Sequence, residues 1–263
     1  MSTIDEKRVF SDSMGTTTVF VASEVGIVRV ECSGGMVGEF GLLDRTTATA
    51  IDGDGSVVIA TTADDLLQLD DGKFEPTGFG PATALTLDDG IVGARTDRIA
   101  RYTDGSWQTC YQSESPPWES ITAVGGTLVG TPSGVFRLGN GEPTPVGLDD
   151  VRGISVDNSV LCGTGVGLYR LENGWNRLFD GTVVDIARAE ALTVAISNDR
   201  LYTHSDGSQW VEQQLPVDEP LAGVAIGDRI YVVTIDGTIC IEDGDGWRTR
   251  SIGVPAVAGL AVR

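Results

Sequence analysis

The chain has 263 residues, 41 % of them hydrophobic, and a formal net charge of −20. That apolar content is enough for a substantial core, while the acidic balance argues against DNA or RNA as the main partner, because such affinity comes largely from Lys and Arg neutralising phosphates. No segment is long and apolar enough to cross a bilayer as a helix, and the polar start MSTIDEKRVFSDSMG lacks the apolar core of a signal peptide, so a soluble, cytoplasmic protein with no membrane contact is expected.

The acidic residues are spread along the whole chain, and Lys occurs only at Lys7 and Lys73. A dispersed acidic surface almost free of Lys suits concentrated salt. Screening shrinks to about 3 Å at 1 M, where like charges barely repel. At low salt the same charges push the compact state apart.

Taken in chain order, residues 1–15 read as an arm outside any repeat. TVFVAS at 18–23 and GIVRVECSG at 26–34 then form two strands and a turn. From residue 47 a unit of about 32–40 residues recurs. Its first strand is TATAIDGDG at 47–55, then ATALTLDDG at 82–90, ITAVGG at 121–126, VRGISVDN at 151–158, VVDIARA at 183–189 and LAGVAIGD at 221–228. A second strand closes on a small residue, as in SVVIATT at 56–62, IVGART at 91–96, TLVGT at 127–131 and SVLCGT at 159–164. An octet follows, such as DLLQLDDG at 65–72, GVFRLGNG at 134–141 and GLYRLENG at 167–174. Its alternation and terminal Asp-Gly or Asn-Gly mark a strand entering a tight hairpin turn. A fourth strand often begins with Trp, as in WQTCY at 107–111 and WNRLF at 175–179.

Four short strands repeated seven times describe an all-β, seven-bladed β-propeller of four-stranded antiparallel blades. VAGLAVR at 257–263 has the look of a first strand with nothing after it, whereas the opening repeat lacks one. The C-terminal strand is therefore expected to complete the N-terminal blade, making residues 16–263 one closed domain and pairing otherwise exposed edges.

The octet followed by Trp resembles the Asp-box of sialidase-type propellers, in turns such as DGSW at 104–107 and DGW at 245–247. Asp and Gly are adjacent here, so the spacing of that box is not kept. No WD dipeptide with a partner His is present, which separates the chain from ordinary WD40 arrays. Over most of its length the chain resembles an uncharacterised family of haloarchaeal β-propeller proteins. That resemblance implies the fold and a salt-rich habitat, and carries no activity or site residues.

Chemistry finds little support in the residues. His204 is the only His, and no GxSxG elbow is present for a Ser-His-Asp triad. Cys32, Cys110, Cys162 and Cys240 are far apart with no CxxC pair, so they read as reduced and mostly buried, without a metal. Acidic runs such as IDGDGS at 51–56 and IEDGDGW at 241–247 lack the full ligand spacing of a calcium loop, and turn chemistry explains them. No cofactor is expected.

In a propeller, the connections between second and third strands, and between fourth and next first strands, share one face. They vary most in length here, which is where a binding surface is expected. Trp118 stands out there, because it breaks the register of Trp107, Trp175, Trp210 and Trp247 and sits in the loop QSESPPWES at 112–120. It reads as a partner anchor, or as a side chain folded back on a neighbouring blade. Arg45, Arg95, Arg152 and Arg200 fall in or beside the same loops and suit a carboxylate or phosphate, unless neighbours such as Asp44, Asp97, Asp149 or Asp150 neutralise them. The expectation is a monomeric, non-catalytic scaffold that binds a protein partner on this face. The alternative is a small-ligand or carbohydrate site at the channel mouth, with hydrolase or lyase activity built from carboxylates.

Overall fold

The computed structural model describes residues 15–263 apart from 88–89, 140, 206–207 and 245. Residues 1–14 of the arm and the Asp-Gly turn after His204 lie outside the described residues. All regular structure among the described residues is strand, in seven antiparallel sheets of four.

Blade one takes β1 (Thr16–Ser23), β2 (Gly26–Ser33) and β3 (Met36–Asp44). Blade two is β4 (Ala48–Gly53), β5 (Val58–Thr62), β6 (Leu66–Asp70) and β7 (Lys73–Pro76). Blade three is β8 (Ala84–Leu87), β9 (Ile91–Arg95), β10 (Arg98–Thr103) and β11 (Ser106–Gln112). Blade four is β12 (Ala123–Gly125), β13 (Leu128–Thr131), β14 (Gly134–Arg137) and β15 (Thr144–Gly147). Blade five is β16 (Val151–Val156), β17 (Val160–Thr164), β18 (Gly167–Leu171) and β19 (Trp175–Asp180). Blade six is β20 (Val183–Ala189), β21 (Leu192–Ser197), β22 (Arg200–Ser205) and β23 (Val211–Gln213). Blade seven is β24 (Leu221–Ile226), β25 (Ile230–Thr234), β26 (Thr238–Asp243) and β27 (Gly246–Ser251). The last strand, β28 (Val257–Val262), lies innermost in blade one and pairs with β1 from Val19↔Val262 to Ser23↔Val257. The first strand of each blade touches its counterparts on both sides, so the inner ring closes around a channel.

Two sequence features have a clear structural cause. The small residue ending many second strands is a hydroxyl that ties down the next turn. Ser23, Thr62, Thr131 and Thr164 each donate to the carbonyl three residues on, at 2.8–2.9 Å. Such local bonds satisfy the turn backbone where no ladder continues. Glycine within a second strand gives the next blade room. A Cβ on Gly163 would lie 2.5 Å from Val183 Cγ1. Gly163→Ala is therefore expected to cost about 1–3 kcal/mol through overpacking, read as a lower urea midpoint with an unchanged slope.

Aromatic side chains wedge six of the seven seams between blades. Phe74 meets Phe20 between blades one and two, and Trp107 Nε1 donates to the Thr77 carbonyl between two and three at 2.9 Å. Trp175 Nε1 donates to the Val146 carbonyl between four and five at 2.8 Å. Trp210 stands 5.1 Å from Phe179 between five and six, and Trp247 packs into the core shared by six and seven.

The seam between three and four is not filled this way, because Arg137 pairs with Thr144 and the place opposite Leu138, where a fourth-strand Trp would sit, falls on the buried Pro143. Trp118 fills it from the preceding loop. It lies between Tyr111 and Phe136 at 5.2 and 5.3 Å, with Nε1 donating to the Thr96 carbonyl. At 5 % exposure Trp118 is a packing residue and offers no surface to a partner. In the seventh seam, between blades seven and one, the wedge position of β3 holds Phe40, opposite Val30, which stays exposed instead of packing into the core.

Candidate functional site

Two surfaces carry groups beyond those the fold needs, the loop face named above and the channel wall. On the loop face the four candidate arginines sit in different blades. Arg45 follows β3, is exposed, and has no ion-pair partner among the described residues. Arg95 Nε lies 2.8 Å from Asp97 Oδ1, and Arg152 Nη2 lies 3.2 Å from Asp150 Oδ2. Arg200 pairs with Glu212 at 2.5 Å, a partner on the adjacent strand β23 that spacing does not reveal. The arginines share a face without converging on one anion site, and three of them are neutralised locally.

The same face gathers apolar surface. Among the described residues, five of the eight exposed large apolar side chains lie at this end: Val25, Leu42, Val166, Val184 and Ile235. Two of them mark one seam. The Val257 amide donates to the Ile235 carbonyl at 3.0 Å, and Val257 pairs with Ser23 two residues from Val25. Arg45 adjoins this patch, since the Thr47 hydroxyl donates to the Glu24 carbonyl at 2.7 Å.

Inside the ring, hollows of about 280 and 440 Å³ share Asp52, Thr86, Ile154 and Asp185, so they form one passage. First strands turn a free edge to this passage, and their amides need partners. Asp52 supplies one across a blade boundary. Its Oδ2 accepts from the Leu87 amide at 3.0 Å and its Oδ1 from the Gly53 amide at 2.8 Å. Asp185 does the same between blades six and seven, accepting from the Val224 and Ile186 amides at 2.9 and 2.8 Å. Near the opposite mouth, Arg188 donates to the Ser159 carbonyl at 2.7 Å. Sequence inspection misses this pair of aspartates, although an acid inside an apolar inner strand is the signal that marks them.

Burial pushes the Asp185 carboxyl up to about 6 against the two amide bonds, and Asp52 adds a smaller repulsion. Burial likewise raises Asp52. A carboxyl whose native value lies above its unfolded value stabilises the fold when protonated. The Asp185 contribution is thus fully present below about pH 4 and lost as pH rises through about 6. Asp185→Asn is expected to flatten the stability–pH curve between pH 4 and 7 relative to the unaltered protein. Parallel curves from denaturant titrations would refute it.

The acidic run at 51–56 behaves as a turn, with Asp54 Oδ1 accepting from the Ser56 and Val57 amides at 2.9 and 2.8 Å. Among the described residues, no three His, Cys, Asp or Glu side chains are grouped to hold a metal, and no helix is long and apolar enough to cross a membrane. Cys32, Cys162 and Cys240 are buried and Cys110 is exposed, all with free thiols.

A ring of seven four-stranded blades, closed by the last strand and wedged with aromatics, defines a β-propeller whose variable face lies at one end of its channel. The chain belongs to the family described as HVO_0234-like beta propeller, which matches residues 3–263. No curated protein matches it. Among solved structures it is similar to the Pan2 WD40 domain of Neurospora crassa, with 13 % identity, 81 % of each chain covered and a TM-score of 0.57. It is also similar to the computationally designed Ika8 protein, with 15 % identity, 92 % of this chain and 86 % of that one covered, and a TM-score of 0.60. A third likeness is to BBS1N, solved in complex with ARL6DN, with 15 % identity, coverage of 76 % and 78 %, and a TM-score of 0.53. At these identities the likeness shows the fold alone.

Proposed function

We propose that this propeller is a non-catalytic platform of a salt-adapted cytoplasm that binds a partner protein on its variable loop face. The observation that carries the reading is the concentration of exposed apolar side chains at that end, beside Arg45. Apolar patches with a cationic neighbour are what partner surfaces cover. The BBS1N propeller, found in complex with ARL6DN, offers a fold-level analogy only.

The test is affinity capture of the tagged protein from a native high-salt lysate. Val25→Asp combined with Ile235→Asp alters the patch, and Val211→Asp serves as the control at another place on the blades. A stoichiometric partner lost with the first pair and kept by the control supports the platform. Equal capture by all three proteins overturns it.

A second reading, a small ligand at the channel mouth, rests on the upper hollow of about 280 Å³ beside Arg152. A thermal-shift screen of carboxylates and sugars, repeated on Arg152→Ala, separates the two readings. The salt-rich setting has its own test. The melting temperature is expected to fall as salt drops from 1 M to about 0.1 M, because the screening length grows from about 3 to 10 Å. A constant melting temperature across that range would remove the argument.

A further inference from the structure

The seam between blades seven and one differs from the other six, and the difference is chemical as well as steric. Phe40, opposite Val30, holds the position that Trp107 and Trp247 hold in β11 and β27, yet it stays 41 % exposed, and β3 extends past it towards the turn to Val37, opposite Cys32. Beside Val37 lies a hollow of about 230 Å³ at the rim, bordered by Met36, Val37, Ile241, Arg248 and Arg250. The hollow opens outward along Gly38, Glu39 and Phe40.

The two walls are unlike. Residues paired across a ladder share a face, so Phe40 beside Val30 looks towards blade seven. Arg248 beside Ile241 and Arg250 beside Ile239 look back at blade one by the same rule. One wall is therefore apolar and the other carries two guanidinium groups. Met36 is 57 % and Phe40 41 % exposed, unusual for large apolar groups beside a core.

Arg250 is not neutralised. Its Nη1 donates to the Val37 and Gly38 carbonyls at 2.7 and 3.1 Å, and its guanidinium carbon lies 5.4 Å from the Phe40 ring centroid. It has no carboxylate partner among the described residues, so its remaining donors face the groove. Arg248 pairs with Asp243 at 2.5 Å, and Glu39 stands at the outer lip. On a chain of net charge −20, an apolar wall facing an unpaired arginine is a local exception.

We propose that this rim groove is a second docking site, and that it takes an acidic peptide segment of a partner protein. A bulky apolar side chain of that segment fills the hollow beside Val37 and covers the exposed Met36 and Phe40, and a neighbouring carboxylate pairs with Arg250. Arginine suits this role through its planar fork of donors and its tolerance of an aromatic face. The site is independent of the loop face, and either surface can fail without the other.

The experiment uses fluorescence anisotropy on the full chain, at the lowest salt that preserves the native circular dichroism spectrum. The labelled peptides are Gly-Asp-Glu-Trp-Glu-Asp-Gly and its neutral counterpart Gly-Asn-Gln-Trp-Gln-Asn-Gly. The acidic peptide is expected to bind saturably and at least tenfold more tightly than the neutral one. Val37→Trp, which plugs the groove, and Arg250→Gln, which removes the charge, are each expected to lose at least tenfold of that affinity. The two act on different walls, so a folding failure in one leaves the other decisive. Equal affinity for both peptides, or undiminished binding by both variants, overturns the proposal. Binding that emerges only when Val9 and Phe10 are changed to Ser assigns the groove to this chain's own first residues and overturns the external partner. Dimerisation abolished by Val37→Trp, without peptide binding, assigns it to a second copy and overturns it equally.

Discussion

Removal of residues 257–263 is expected to abolish cooperative folding. These residues contain all of β28, the innermost strand of blade one. Val257, Leu260 and Val262 are each buried in the core shared by blades seven and one. Burying such side chains is worth about 1.5–3 kcal/mol apiece. Their sum approaches the whole net stability of an ordinary domain, about 5–15 kcal/mol. Truncation also exposes the edge of β1 and breaks the paired bonds between Thr18 and Arg263, at 3.0 and 2.9 Å. Near-ultraviolet circular dichroism and gel filtration should report lost tertiary packing and association. A truncated chain that still melts sharply near the native temperature would show that the ring does not depend on its closure. A circular permutant gives the converse check. Joining Arg263 to Gly15 by a short linker, with new ends at the Asp71–Gly72 turn, keeps every strand pair and should keep the fold.

Trp118→Ala is the point substitution with the largest expected effect. It empties the wedge between blades three and four, where the ring contacts Tyr111 and Phe136 and the indole N–H satisfies the Thr96 carbonyl. Emptying a buried Trp site costs about 3–5 kcal/mol. For a chain of this size that corresponds to a melting shift on the order of 10 °C. Trp118→Phe keeps most of the volume and loses the hydrogen bond, so it should fall between the two. An alanine variant as stable as the parent would instead return Trp118 to the role of an exposed anchor.

The contrast between Trp118 and its four counterparts shows where sequence reasoning reaches its limit. Trp107, Trp175, Trp210 and Trp247 occupy repeated positions, so their packing role is legible from register alone. Trp118 lies outside the register, and a loop position does not say whether a side chain points out or in. The answer comes from Pro143, a residue of the next blade that leaves its own wedge position without an aromatic ring. The candidate arginines pose the same difficulty. Two of them pair with acids two residues away, as spacing suggests, while Arg200 finds Glu212 only because β22 and β23 lie side by side.

The sequence by itself determined the blade count, the order of four strands in each blade and closure by the last strand. Those features repeat, and each is encoded locally by alternation, a small residue and a turn dipeptide. Tertiary structure alone decided what happens between repeats: which seam Trp118 fills, which amides Asp52 and Asp185 cap, and that the seam beside Val37 stays open. Such contacts join residues tens of positions apart with no periodic signal. They are set by how neighbouring blades fill space and satisfy polar groups, and that becomes visible only once the ring is closed.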